Sequence, residues 1–231
     1  DTAFVVALDS GTGEIRWQTP RPNPISQAYS TPLLITVGDR DVLISIGAFR
    51  TSALDPVTGE ELWRVGYPEG FSNVPAPVFS RDHGLVFITT GFQQPALLAV
   101  RVDGDGDVTP THVAWRLGRG APHTSSPLVV GDELYVVGDT GIVTCVDVET
   151  GKRRWRDRLW GNYAASPVYA DGRIYFQSEE GLTTVIEPGT VFREVVRNEL
   201  DGRTLASLAV SDGSLFIRSD THLYRIAESG E

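Results

Sequence analysis

The sequence predicts an all-β chain assembled from repeated four-stranded antiparallel units. Three observations carry this. First, three segments align without gaps: LDSGTGEIRW at 8–17, LDPVTGEELW at 54–63 and VDVETGKRRW at 146–155. Second, an upstream strand recurs as YSTPLL (29–34), VPAPVF (74–79), SSPLVV (125–130), ASPVYA (165–170) and ASLAVS (206–211). Third, apolar runs of four to six residues alternate with Gly-Asp, Asp-Gly and Thr-Gly turns, as in DELYVVGDTGIVTCVDVETGKRRW (132–155), while a sustained i, i+3, i+4 helical stripe is missing.

The first element joins an Asp, a Thr-Gly pair and a Trp eight residues after the Asp. The copies are Asp9, Gly13 and Trp17; Asp55, Gly59 and Trp63; Asp147, Gly151 and Trp155. A tight hairpin needs positive φ, which Gly supplies without strain, and the Asp side chain can accept from the turn amides. The Trp supplies a large apolar ring to pack between neighbouring units. A fourth copy runs from Asp103 to Trp115 with four extra residues in its turn. The upstream element places Pro32, Pro77, Pro127 and Pro167 at steps of 45, 50 and 40, with Leu208 a further 41 on. A period of about 40–50 residues with four strands per period is that of a β-propeller blade.

The expected layout is a single propeller domain over 1–231, about five blades' worth: a partial first blade at 1–18, blades near 29–66, 73–117, 124–158 and 164–198, and a partial last blade at 205–227. The third strand is then supplied by both ends, so simple end-to-end closure does not fit. The expectation is a C-terminal part of a larger ring, the alternative a five-bladed ring with one strand displaced. Open blade edges would invite self-association.

Composition narrows the function classes. A net charge of −10 with scattered basic residues argues against nucleic acid as a partner. The one basic run, Lys152 to Arg158, reads as a solvated outer strand. No apolar stretch is long enough for a membrane-spanning helix. The chain starts at Asp1 and contains no Met, which points to a processed or trimmed product. The single cysteine, Cys145, excludes an internal disulfide and reads as a buried thiol in IVTCVDV.

The loops leaving each fourth strand and those between strands two and three share one face, where a ligand site is expected. They nominate Tyr29, Arg50, Asn73, Gln93, Arg119, His123, Asp139, Asn162, Tyr163 and Glu179 as binding candidates. For His123, a general base, a metal ligand and a surface histidine all stay open. Asp103, Asp105 and Asp107 stand at every second position, as calcium loops begin, but Ala114 occupies the place of the closing acid. Calcium and a solvated hairpin tip are both readings of that run. No nucleophile elbow or HExxH motif is present, and no catalytic residue is assigned.

The Asp–Thr–Gly–Trp element with its Ser-Pro strand resembles the PQQ-like (pyrroloquinoline-quinone-like) propeller repeat family, over essentially the whole chain. That family includes quinone-dependent alcohol dehydrogenases, an outer-membrane assembly lipoprotein and many secreted or periplasmic bacterial proteins. The resemblance implies that the larger ring has seven or eight blades, and a periplasmic or extracellular location. For the dehydrogenases it implies a quinone held by a stacking Trp, an adjacent-cysteine disulfide and a calcium ion, and one cysteine cannot form that disulfide. The preferred expectation is a non-catalytic scaffold or binding module without cofactor, engaging a protein, peptide or glycan through loops on one face. The alternative is a domain of a PQQ-dependent dehydrogenase.

Overall fold

A computed structural model describes residues 3–22, 27–68, 70–92 and 94–227. Every element in it is a β-strand. The chain divides into two compact units, residues 1–119 and 120–231.

In the first unit, β1 (Phe4–Leu8) and β2 (Ile15–Pro20) form a two-stranded sheet. β3 (Leu33–Val37), β4 (Arg40–Gly47), β5 (Arg50–Leu54) and β6 (Glu61–Gly66) pair in chain order as an antiparallel blade. β7 (Val78–Ser80), β8 (Leu85–Thr89), β9 (Leu97–Arg101) and β11 (Val113–Leu117) form the next. The interior strands are sandwiched on both faces, so β8 reads LVFIT and every residue in it is buried. One apolar core joins these two sheets, from Ile44, Ile46, Trp63 and Val65 to Val86, Ile88, Leu98 and Val100.

The second unit repeats the plan with β12 (Leu128–Val130), β13 (Glu133–Val137), β14 (Ile142–Asp147) and β15 (Arg153–Arg158), then β16 (Val168–Ala170), β17 (Arg173–Gln177), β18 (Leu182–Ile186) and β19 (Glu194–Glu199). β20 (Ala209–Ser211), β21 (Ser214–Arg218) and β22 (Leu223–Ala227) make a three-stranded sheet. Its core gathers Tyr135, Val143, Cys145, Leu159, Tyr163, Ile174 and Phe176. The basic run forms β15, the outermost strand of its sheet, with only Trp155 turned inward. The sequence's all-β blades are thus the observed fold.

The repeated turn is the same device in each copy. Asp9 Oδ1 accepts the amides of Gly11 and Thr12 at 3.0 and 2.8 Å. Asp55 Oδ1 does the same for Val57 and Thr58 at 2.9 and 3.0 Å. Asp147 Oδ1 takes the Thr150 amide at 2.8 Å and its hydroxyl at 2.6 Å. The glycine amide then closes back on the Asp carbonyl, at 2.8 Å for Gly13 and Gly59 and 2.9 Å for Gly151. Gly13, Gly59 and Gly151 have φ of 76°, 77° and 67°, and a bulge follows in each hairpin. Arg16 and Arg154 each meet the second oxygen of their Asp at 2.5 Å.

The tryptophans fasten one blade to the turn of the next. Trp17 lies over Gly59, where a Cβ would sit 2.5 Å from the ring, and its N–H donates to Pro56 O at 3.0 Å. Trp155 donates to Gly189 O at 2.9 Å and packs edge-on to Phe192. Trp63 is fully buried, yet its N–H finds no acceptor among the described residues. The reason lies in the next blade, whose third turn carries the four extra residues.

That insertion corrects the hairpin-tip reading. Gly106–Asp107 leaves its own blade and forms a short strand, β10, parallel to β6 of the preceding one. Val108 donates to Arg64 O at 2.9 Å, and Gly66 donates to Thr109 Oγ1 at 2.8 Å. Val108 is buried in the core with Trp63. The insertion therefore covers the outer edge that β6 would expose.

Serines of the Ser-Pro element stitch successive blades in the second unit. The Ser126 amide donates to Ser166 Oγ, and the Ser166 amide to Ser207 Oγ, both at 2.9 Å. In the first unit Ser30 Oγ donates to Pro75 O at 2.8 Å.

Two predictions follow from these turns. Gly13 has open space for a Cβ, so Gly13→Ala should cost only the left-handed backbone penalty, about 1–2 kcal/mol. Gly59→Ala adds the collision with Trp17 and should cost clearly more in urea unfolding followed by tryptophan fluorescence. Equal costs would remove the ring from the argument. Second, Arg16 and the turn amides lower Asp9 to about 2 from 3.8, and the turn amides also lower Asp55. Depressed carboxylates stabilise the fold above their unfolded values and lose that contribution as pH falls through the folded ones. Unfolding midpoints should therefore drop between about pH 4 and pH 2, and Asp55→Asn should flatten that limb. An unchanged limb in the variant would count against it.

Candidate functional site

The loops nominated by the sequence are built differently in the two units. In the first, the chain between β4 and β5 turns through Phe49, a bulky residue at φ 64°. Ser72, in the loop after β6, stands at φ 53°. Left-handed backbone at such residues is costly and persists only where neighbours fix it. Here the fixing bonds are visible. Phe49 N donates to Gly70 O at 2.7 Å, and Tyr67 N to Phe49 O at 3.0 Å. Ser72 N donates to Gln27 O at 2.6 Å, and Phe92 N to Phe71 O at 2.9 Å. Gly70 and Gly91 permit the crossing, because a Cβ on either would strike Thr90 O or Phe71 O at 1.8 and 2.6 Å.

The result is an aromatic cluster drawn from three loops. The Phe49 and Phe71 rings lie 6.3 Å apart, and Phe71 and Phe92 5.9 Å apart. Phe92 is 54% exposed and Tyr29, in the same loop set, 60%. The Tyr29 amide donates to Asn73 O at 2.7 Å, and its hydroxyl to Gln27 Oε1.

The other candidates of this unit divide. Asn73 is fully buried and donates to Thr89 O at 3.3 Å, so it braces the loop. Arg50 is committed to Glu61 and Ser52. Arg119 is exposed. Gln93 lies outside the described residues. Asp103, Asp105 and Asp107 do not converge with other ligands, and no group of three or more His, Cys, Asp or Glu is gathered among the described residues. The Asp107 carboxylate accepts from Thr109 and faces Arg64 at 3.5 Å.

In the second unit acids of the second-to-third loops, the nominated Asp139 and Glu179 among them, lace loops together. Each loop leaving a fourth strand presents an amide to a carboxylate in the second-to-third loop of the blade it leads into. His123 N meets Asp139 Oδ1 at 3.2 Å, Asn162 N meets Glu180 Oε2 at 3.0 Å, and Arg203 N meets Asp220 Oδ1 at 3.2 Å. The same loops bond the blade they leave: Tyr163 N to Asp139 O at 2.9 Å and Thr204 N to Glu179 O at 3.0 Å. His123 Nδ1 lies 2.7 Å from Asp139 Oδ2, and Glu179 pairs with Arg203 at 2.6 Å. Both oxygens of Asp139 are thereby engaged, so its geometry is that of a clasp. Tyr163 is a core residue, 1% exposed, with its phenol pushed up to about 12 by burial. Beside this belt, an open cleft of about 650 Å3 is lined by Arg158, Trp160, Asn162, Glu180 and Arg197, with Trp160 61% exposed.

Sequence reasoning missed the strained Phe49 and the partners Arg203 and Asp220. It also passed over Arg21, a partly buried cation. A usable signal existed for the last: its count from Trp17 matches that of buried Leu159 from Trp155.

The quinone set implied by the resemblance does not fit the residues present. The one thiol, Cys145, is buried, and burial pushes it up to about 12, so it stays protonated at neutral pH. Trp17 and Trp155 are occupied in packing blade on blade.

Comparison with known proteins accords with the repeat. The profile of the family described as "Outer membrane protein assembly factor BamB" matches residues 1–109 and 52–191. A protein of that name from Burkholderia pseudomallei is 36% identical over 107 residues, 43% of this chain and 28% of its own length. One from Alkalilimnicola ehrlichii is 29% identical over 157 residues, 67% of this chain and 39% of its own. The chain thus spans well under half the length of these relatives. Among solved structures, BamB from Moraxella catarrhalis superposes with a TM-score of 0.69 at 18% identity, over 94% of this chain and 64% of that one. Quinohemoprotein alcohol dehydrogenase from Comamonas testosteroni gives 0.62 at 15% identity, over 85% of this chain and 40% of that one. At those identities the two structures speak for the fold alone. Repeat, blade geometry and profile agree, and the chain belongs to the PQQ-like β-propeller repeat family described as Outer membrane protein assembly factor BamB.

Proposed function

We propose that this chain is a non-catalytic propeller scaffold whose loop face in the first unit engages a protein partner outside the cytoplasm, in the periplasm or at the cell exterior. The observation that carries this reading is the Phe49–Phe71–Phe92 cluster, held by backbone at φ 64° and 53° with Phe92 left exposed. A fold keeps such strain where a surface must be preorganised, and rigid aromatic side chains are the usual anchors of protein interfaces. The name of the relatives, an assembly factor of outer membrane proteins, supports both the protein partner and the location. The dehydrogenase alternative draws only on fold likeness, and the residues present do not fit its cofactor.

The test is site-specific photocrosslinking in the native cell. A crosslinker at Phe92 should give a discrete protein adduct, whereas one at Val57, 82% exposed in an Asp–Thr–Gly turn, should give none. Adducts from Val57 alone, or equally from both, would sink the docking reading. Native mass spectrometry with PQQ and calcium should leave the mass unchanged. A stoichiometric quinone adduct would put the dehydrogenase reading first.

A further inference from the structure

Four blades carry a residue at the same place just beyond the fourth strand, and backbone bonds define it. The amide of that residue donates to the carbonyl immediately before the third strand of its own blade: Arg21 to Ala3 at 2.8 Å, Tyr67 to Phe49 at 3.0 Å, Leu159 to Gly141 at 2.8 Å and Leu200 to Gly181 at 3.0 Å. Counted from the strand-four Trp, Arg21, Tyr67 and Leu159 each stand four residues on. Leu159 fills its slot completely and Tyr67 is 4% exposed. Arg119, at the same count from Trp115, is exposed. Arg21 alone puts a partly buried cation into this position.

A buried charge is costly unless it is paired. The Arg21 guanidinium donates to Ser45 Oγ at 2.8 Å and lies beside Gly47. No carboxylate pairs with it among the described residues. Glu61 is close, but it is committed to Arg50, to Ser52 at 2.8 Å and to Arg64 at 3.1 Å. Burial lowers the Arg21 pKa, as expected of a cation short of compensation. A small cleft of about 30 Å3 opens beside it, lined also by Ser45, Arg50, Ser52 and Glu61.

We propose that this cleft is a carboxylate-binding site, with Arg21 as the principal ligand. A guanidinium presents a planar fork that matches the two oxygens of a carboxylate. One uncompensated positive charge calls for one negative charge, and Arg50 is already balanced by Glu61. The carboxylate comes from an acidic side chain, a polypeptide C-terminus or a free organic acid. The inference does not rest on the docking reading, because small anions address the cleft without any protein partner.

The experiment is titration of the 231-residue chain with sodium acetate, against sodium chloride at equal ionic strength, read on the arginine Nε–H resonances. The Arg21 signal should shift saturably with acetate and not with chloride. Arg21→Leu restores the residue found at Leu159, so it should melt higher than the parent in chloride and show no acetate-specific shift elsewhere in the cleft. Arg21→Lys keeps the charge without the fork and should bind acetate at least tenfold more weakly. No saturable shift in the parent, its persistence in Arg21→Leu, or tighter binding of inorganic phosphate than acetate would overturn the proposal. Acetylated tripeptides then separate the sources. Tenfold tighter binding of one with a free C-terminus assigns a polypeptide end. The same gain for an amidated peptide with an internal glutamate assigns a side chain, and no gain for either assigns a free acid.

Discussion

The carboxylate of a turn aspartate, held under its own amides, is the constraint on which each intact blade depends. It fixes the hairpin joining the third and fourth strands, forces the following glycine into left-handed backbone and introduces the bulge. That bulge sets which side of the fourth strand faces inward, and so brings Trp17, Trp63 and Trp155 to the adjoining layer. The carbonyls exposed by the next turn then receive the indole N–H of Trp17 and of Trp155. Local geometry within ten residues thus specifies contacts about forty residues away, as repeat architectures require.

The cost of altering one turn is visible at Trp63. Four added residues redirect the chain after Asp103, and the acceptor that Trp17 and Trp155 enjoy is lost. The buried N–H is left unmet, a penalty on the order of 1–3 kcal/mol. It is offset by Val108 joining the core and by the backbone bonds that β10 makes to β6.

The strands and the third turns were legible because they rest on local chemistry: alternation, Asp–Thr–Gly spacing and a Trp at fixed distance. The site was legible only as a set of loops. Tyr29 and His123 do face those loops, but Asn73 and Tyr163 are buried braces, and Asp139 and Glu179 spend their charge on neighbouring loops. Nothing in a residue type distinguishes an acid that clasps an amide from one that awaits a ligand. Phe49 was invisible for a related reason: its left-handed backbone arises from bonds to Gly70 and Tyr67, not from its own preference. The parallel strand at Gly106–Asp107 was hidden too, since two residues carry no periodicity.

That short strand also has a mechanical meaning. By sequence it belongs to one blade, and by hydrogen bonding to the one before it. Hairpin blades under tension ordinarily peel away strand by strand. Here, drawing out the later blade would pull on β6 through a parallel pair loaded in shear, so that several bonds must yield together. The first unit should therefore resist extension at this joint more strongly than at a plain blade boundary, like cloth whose hem has been sewn to the next panel.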